Sequence, residues 1–287
     1  TMLHATFKSA DLVLVLGVSG GIFFPFFRFS KTKIILNPDG SEWKRTKFSF
    51  LTKCFLKLSE KMGVCYADHV ITDNAVIGEE VLTKYGIDSS VIEYGADHVS
   101  PVSLRHNTSQ KYGLKTGEYI FKVCRIVPEN NLEMILKALS CLPYIFVLVG
   151  NWNNSEFGKR LRENYSYVEN FLLLDPIYDQ HEIDELRSNC KIYIHGHSVG
   201  GTNPSLIEAM QLGLACLVFN VSYNMETTDG KACYFVDESG IKNATSRLWD
   251  DDKQRHKIGV DLKNIAVKKY RWSDVVNKYE RVFASFY

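Results

Sequence analysis

The sequence predicts an α/β protein built on two parallel sheets with helical crossovers. Three observations predict it. Short apolar, β-branched runs alternate with amphipathic runs along the 287 residues, the pattern of repeated strand–helix–strand units. A polar, turn-forming stretch near 100–117 carries Pro101, Arg105-His-Asn-Thr-Ser-Gln110 and Gly113, and separates two such series. The runs read as strands open into loops rich in glycine, asparagine and histidine. Parallel sheets bind ligands in loops beyond the carboxyl ends of their strands.

Asp11-Leu-Val-Leu-Val-Leu16 reads as the first buried strand. The uncharged stretch Leu12 to Phe27 is broken by Gly17, Gly20, Gly21 and Pro25 and falls short of the ~20 residues of a membrane span. It predicts a strand, a glycine loop and an apolar helix. Further strands are expected at 33–36, 69–72, 91–94, 119–124, 144–149, 171–174, 191–194 and 215–219. Helices are expected at 47–66, 74–85, 130–141, 155–164, 179–189, 204–212, 240–248, 253–269 and 272–285. No opening strand with a glycine-rich turn precedes Asp11, so the first series reads as one that begins in mid-fold.

Hydrophobic residues make up 45% and charged residues 23%, an ordinary globular composition. The net charge of +1 gives no broad field for nucleic acid. The 7 cysteines include no CxxC pair and favour reduced thiols in a cytoplasmic protein. No basic region followed by an apolar core marks a signal peptide at the start.

The most informative stretch is His195-Gly-His-Ser-Val-Gly-Gly-Thr-Asn-Pro-Ser-Leu-Ile-Glu-Ala-Met210. It follows the strand Lys191-Ile-Tyr-Ile194. Asn203 is a good N-cap, and Pro204 suits the first helical position, where a missing N–H costs nothing. Gly200 and Gly201 let a ligand approach the backbone. With Thr202, Asn203 and Ser205 they form a helix start suited to a phosphate. Glu208 lies one turn on, and helical side chains lean back towards the N-terminus. A carboxylate beside a diol accepts two hydrogen bonds, so the stretch fits a nucleotide diphosphate with its ribose. The plainer reading is a glycine turn and a solvated glutamate. A second stretch, Phe121-Lys-Val-Cys-Arg-Ile-Val-Pro-Glu-Asn-Asn131, sets Arg125 at the end of a buried strand. Bidentate phosphate binding and a surface salt bridge are both open to it.

"CRIVPENN" followed by "GGTNPSLIEAM" resembles the donor site of retaining GT-B glycosyltransferases of group 1. Arg125 and Glu208 match that class. Asn130 stands where a lysine is usual, and Gly200 stands where the first glutamate is usual. Both departures resemble a bacterial polysaccharide subgroup of rhamnosyltransferases or galactosyltransferases with a DGxEWKR N-terminal domain. Here that signature reads Asn37-Pro-Asp-Gly-Ser-Glu-Trp-Lys-Arg45, continued by residues 58–74 and 92–97. The resemblance covers nearly the whole chain. Members of the subgroup carry a longer N-terminal segment, which implies that part of the N-terminal domain is missing here.

The resemblance implies two Rossmann-like domains facing across a cleft: 1–105 on the acceptor side, 106–270 on the donor side, and 271–287 as a helix crossing back. It implies transfer of a hexosyl group, with retention, from a dTDP- or UDP-sugar to a glycan or lipid-linked oligosaccharide of a cell-surface polysaccharide such as O-antigen or capsule. Rhamnosyl is the favoured group. The two-domain nucleotide-sugar epimerases share the architecture, and a non-catalytic nucleotide-sugar-binding subunit is a third reading. Arg125, Asn130, Gly150, Gly200, Gly201, Thr202, Asn203, Ser205 and Glu208 are the donor-binding candidates. Asp39, Gly40 and Glu42 are the acceptor-side candidates, and Arg125, Asp39 and His197 the catalytic ones.

His195 and His197 flank Gly196 without the further ligands a metal needs. One of them is expected to meet sugar or phosphate, so no metal and no cofactor are expected. Asp175-Pro-Ile-Tyr178, after another strand, is a candidate for the base. Phe23, Phe24, Phe26, Phe27 and Phe29 fit either core packing or peripheral contact with the inner membrane face.

Overall fold

The computed structural model describes residues 10–27, 29–40, 42–45 and 48–287. The chain divides into two compact units. The first comprises Thr1–Tyr94, Val199–Thr202 and Ser273–Tyr287, and the second Gly95–Ser198 and Asn203–Trp272.

In the first unit β1 (Leu12–Leu16), β2 (Lys33–Asn37), β3 (His69–Thr72) and β4 (Ser90–Val91) form a parallel sheet in that order. Leu14 pairs with Ile35, and Leu36 with Val70. The crossovers carry α1 (Phe24–Phe27), α2 (Phe50–Tyr66) and α3 (Ala75–Tyr85). The helix expected at 47–66 begins at Phe50, where Ser49 caps it by accepting from Thr52 N–H at 3.3 Å; Thr46 and Lys47 lie outside the described residues. Asn74 caps α3 in the same way, and Gly86 ends it at φ 70°, a left-handed conformation glycine adopts without strain.

The second unit runs α4 (His106–Tyr112), β5 (Tyr119–Val123), α5 (Leu132–Leu139), β6 (Ile145–Val149), α6 (Glu156–Tyr165), β7 (Phe171–Leu174) and α7 (Gln180–Ser188). It continues with β8 (Ile192–His195), α8 (Pro204–Gln211), β9 (Cys216–Phe219), α9 (Ser222–Thr227), β10 (Cys233–Phe235), α10 (Glu238–Asp250) and α11 (Asp252–Lys269). Its six parallel strands lie in the order β10-β9-β8-β5-β6-β7. The chain winds outward from β5 to β7, returns to β8 and winds the other way. This is the doubly wound, Rossmann-like arrangement. Strands such as Ile-Phe-Val-Leu-Val are apolar throughout because both faces of such a sheet are covered by helices. Phe121, Phe146, Ile192, Tyr193, Leu206 and Leu217 are fully buried. The last helix, α12 (Trp272–Ala284), clusters with the first unit from Ser273 onward, and Val275 and Val282 pack on Ile35, Ile71 and Ile92.

Three elements depart from the sequence expectation. The stretch read as polar turns contains α4, because Thr108 is buried and Arg105 pairs with the fully buried Glu185. Both are long-range contacts that a local reading does not contain. Helix α9 and strand β10 are too short to show periodicity. The phenylalanines divide: Phe24 and Phe27 are core, whereas Phe23, Phe26 and Phe29 are exposed. Among the described residues no helix is long and apolar enough to cross a membrane.

Candidate functional site

Strand order in the second unit reverses between β5 and β8, so the crevice of a doubly wound sheet opens beyond their carboxyl ends. Two loops leave there. Cys124-Arg125-Ile126-Val127 follows β5, and Gly196-His197-Ser198 follows β8.

These loops are laced together. Asn130 Nδ2 donates to the Arg125 carbonyl at 2.7 Å, which turns Oδ1 towards His197 Nδ1 at 3.2 Å. An amide oxygen only accepts, so the His197 ring donates from Nδ1. Asn131 Nδ2 donates to Gly196 O at 2.8 Å, and Ser198 N–H and Oγ donate to Glu129 O at 2.9 and 3.0 Å. Gly196 must be glycine here, since a Cβ would stand 2.3 Å from Asn130 O. Gly150 has a similar duty after β6, where a Cβ would stand 2.6 Å from Cys124 O. Asn130, expected as a ligand contact, is thus a buried bracket for both loops.

Arg125 itself is exposed, and its guanidinium makes no hydrogen bond or ion pair among the described residues. A free guanidinium at a crevice mouth can grip a diphosphate in two-point fashion. His195 differs from His197. It is buried with both ring nitrogens unpartnered among the described residues, and burial pushes its pKa well down, so it stays neutral.

Helix α8 starts as the sequence predicts. Asn203 Oδ1 accepts from Ser205 N–H at 3.2 Å and Ser205 Oγ at 2.8 Å, with Pro204 in the first turn. Glu208 is engaged: Oε2 lies 2.8 Å from Arg187 Nη1 and Oε1 lies 3.3 Å from His98 Nε2. The Arg187 contact is an ion pair of close charges without a directed hydrogen bond, and Arg187 Nε and Nη1 are buried without hydrogen-bond partners. Sequence reasoning missed Arg187 and His98. Nothing local marks either one, since each meets Glu208 only through the tertiary fold.

The first unit has its own cluster. Asp39 follows β2 at φ 53°, its N–H held by Asn37 Oδ1 at 3.0 Å and its carboxylate 3.5 Å from Arg45. Gly40 follows at φ 63°, and Glu42 opens a short 3-10 turn. Asp73 ends β3, buried. Residues 199–202 settle on it: Thr202 Oγ1 donates to Asp73 O at 2.5 Å, and a Cβ on Gly201 would stand 1.7 Å from Asp73 Oδ1. Gly200 has φ 116° and lies where a Cβ on Gly40 would be 3.0 Å from its Cα. A glutamate at position 200 would be strained in that backbone. Burial and the charge of Asp39 push the Asp73 pKa up to about 7. Asp73 was missed in the sequence, although a carboxylate directly after a parallel strand is a signal worth reading.

A cavity of about 810 Å³ lies elsewhere in the second unit, lined by Asn131, Glu133, Phe157, Asp237 and Lys242. It touches neither Arg125 nor Glu208, and the strand-order reversal is the stronger guide. Among the described residues no group of three His, Cys, Asp or Glu side chains is arranged to hold a metal.

Residues 105–263 match the glycosyl transferases group 1 family, and residues 6–97 match a domain of unknown function, DUF1972. The chain belongs to the group 1 glycosyl transferases, with a DUF1972 domain at its N-terminal side. It is similar to the serotype-specific mannosyltransferase WbdA of Escherichia coli, 25% identical over 164 residues. That match covers 54% of this chain and 18% of the relative's length. Sucrose-phosphate synthase from Thermosynechococcus elongatus superposes with a TM-score of 0.80 at 16% identity, over 99% of this chain and 76% of that one. Anabaena HepE in complex with UDP and glucose superposes with a TM-score of 0.82 at 13% identity, over 99% and 80%. These likenesses show a shared fold.

Proposed function

We propose that this chain transfers a hexosyl group from a nucleotide diphosphate sugar to a glycan hydroxyl, with retention at the anomeric carbon. The observation that carries the reading is the pair of loops at the β5/β8 reversal, with the unpaired Arg125 on one and His197 on the other. In the reaction the bond from C1 to the diphosphate oxygen breaks and a bond from C1 to the acceptor oxygen forms. The acceptor's proton leaves with the nucleoside diphosphate. Arg125 stabilises the charge that develops on the diphosphate, and the start of α8 adds to it. Glu208, oriented by Arg187 and His98, accepts from the ribose. His197 meets a sugar hydroxyl, and Asp39, Gly40 and Glu42 face the acceptor. No cofactor or metal enters this scheme. By the same reading the protein works on the cytoplasmic side.

The family resemblance favours rhamnosyl, and WbdA, to which the chain is similar, is a mannosyltransferase. Rhamnose is a 6-deoxy sugar of the manno series, so both point to a donor with an axial 2-hydroxyl. The purified chain should be offered dTDP-rhamnose, GDP-mannose, UDP-glucose and UDP-galactose, with and without a glycan acceptor, and nucleoside diphosphate release followed. Acceptor-dependent release from one of the first two is expected. A change of sugar stereochemistry without acceptor would favour an epimerase, and binding without turnover a non-catalytic subunit. No binding of any donor would end the reading.

A further inference from the structure

Two segments of the second unit, residues 95–98 and 270–272, are fastened to each other. Ala96 N–H donates to the Tyr270 carbonyl at 2.8 Å, and Trp272 N–H donates to Asp97 Oδ1 at 2.9 Å. Gly95 makes room for the indole, since a Cβ there would stand 2.5 Å from Trp272 Cγ. Tyr270 is fully buried, and its Oη donates to the Thr227 carbonyl at the end of α9 at 2.7 Å. These contacts set where the Trp272 ring lies.

The indole then acts on a histidine. Trp272 Nε1 donates to His98 Nδ1 at 3.2 Å. An indole nitrogen is a donor only, so Nδ1 presents a lone pair and the ring proton sits on Nε2. That Nε2 lies 3.3 Å from Glu208 Oε1. With the proton on Nδ1 instead, a lone pair would face the carboxylate and repel it. The bond made by one ring nitrogen decides what the other offers. Glu208 Oε2 lies 2.8 Å from Arg187 Nη1. The carboxylate is therefore held at both oxygens, and its side chain keeps 15% of its surface exposed.

We infer that Trp272 and His98 are positioning residues for ribose recognition. The indole fixes which nitrogen of His98 carries the proton, and His98 with Arg187 fixes the rotation of the Glu208 carboxylate. This rests on the reading of Glu208 as the ribose contact and adds what holds its geometry. A diol engages both carboxylate oxygens at once, each accepting one hydroxyl. Hydrogen bonds weaken steeply as their angle closes, so a carboxylate free to rotate loses one of the two. The relay therefore acts on the ribose hydroxyls and leaves the contacts to base and diphosphate unchanged.

The test titrates the full chain by calorimetry with UDP, GDP and dTDP, each beside its counterpart lacking the sugar-ring hydroxyls. The parent should bind at least one hydroxylated nucleotide about tenfold or more tighter than its counterpart. E208Q should lose that ratio, which tests the ribose contact by itself. W272F keeps a ring on Gly95 and removes only the N–H. W272F and H98A should each lower the ratio to about threefold or less, while affinity for the counterparts stays within about twofold of the parent. A parent that does not distinguish the two forms would end the ribose reading and this inference with it. A ratio lost in E208Q but kept in W272F and H98A would overturn this inference and leave the ribose reading standing. So would an equal loss of affinity for both forms in W272F, the mark of a residue that only supports the fold.

Discussion

Glu208 Oε2 and Arg187 Nη1 lie 2.8 Å apart, the arginine buried and the carboxylate nearly so. The pair joins α7 to α8 beneath the proposed ribose contact. Glu208→Gln removes the nearer of two carboxylates from the buried guanidinium and leaves Asp184 Oδ1 3.5 Å from Nη1, which costs about 1–3 kcal/mol. The melting temperature should fall by several degrees, and nucleoside diphosphate affinity about tenfold or more. Adding Arg187→Met removes the under-compensated cation, so the double variant should regain part of the stability and none of the affinity. Calorimetric titration alongside thermal unfolding separates the two effects. Affinity that returns with stability would mean that Glu208 only holds the helices together.

Arg125 should behave in the opposite way. Exposed and unpaired, it contributes little to folding, so Arg125→Ala should change stability by no more than about 0.5 kcal/mol. The same substitution should lower kcat/KM by at least about tenfold, equivalent to ~1.4 kcal/mol of transition-state stabilisation. Arg125→Lys should recover only part of the loss, because an ammonium lacks the planar fork. Steady-state kinetics with the preferred donor decide it, and an undiminished rate in Arg125→Ala would remove the arginine from the reaction.

What the sequence made legible follows from locality. Strands β5, β6, β8 and β9 are continuous apolar runs, and Asn203-Pro204 announces the start of α8 through two neighbouring residues. Arg125 could be placed because a strand ends just before it. Asn130 reads as a ligand contact from its position in a motif, and its amide also bridges the Arg125 carbonyl and His197 Nδ1, a bracket that only the tertiary fold shows. The sequence offers Gly200 and Gly201 as room for a ligand beside the backbone, and the fold adds further reasons. The reasons are a left-handed φ at one and the Asp73 carboxylate against the other, and both are tertiary.

Asp73 provides a pH test. Its pKa is raised to about 7 by burial first and by Asp39 second, against 3.8 for the ordinary group. Between those values the unfolded chain has released the proton while the folded chain keeps it. Stability therefore falls as pH rises from about 4 to about 7 and levels off above. Asp73→Asn removes this titration. Relative to the variant, the wild type should be most stable near pH 4, should lose that advantage by pH 7, and should hold a constant difference at pH 8. Thermal unfolding of both proteins across this range checks it, and parallel curves would show an ordinary carboxyl.

Lys122 is fully buried on β5, opposite Leu148 of β6, and its Nζ has no hydrogen-bond partner among the described residues. Burial pushes its pKa below the ordinary 10.5. A buried, unpartnered amine costs about 1–3 kcal/mol of stability, and methionine fills a similar volume without a polar end. Lys122→Met should therefore raise the melting temperature by a few degrees at neutral pH. The sign of the pH dependence follows. Above the depressed pKa the folded chain has lost this proton while the unfolded chain still holds it, so the wild type gains stability as pH rises towards 10.5. The advantage of Lys122→Met should shrink over that range. Because the site lies beneath the Arg125 loop and does not form part of it, nucleotide affinity should stay within about twofold of the parent. Denaturant unfolding at several pH values, with one titration of nucleoside diphosphate, provides the measurement. A destabilised Lys122→Met protein would mean that the amine is satisfied within the fold, and lost nucleotide affinity would make it part of the donor site.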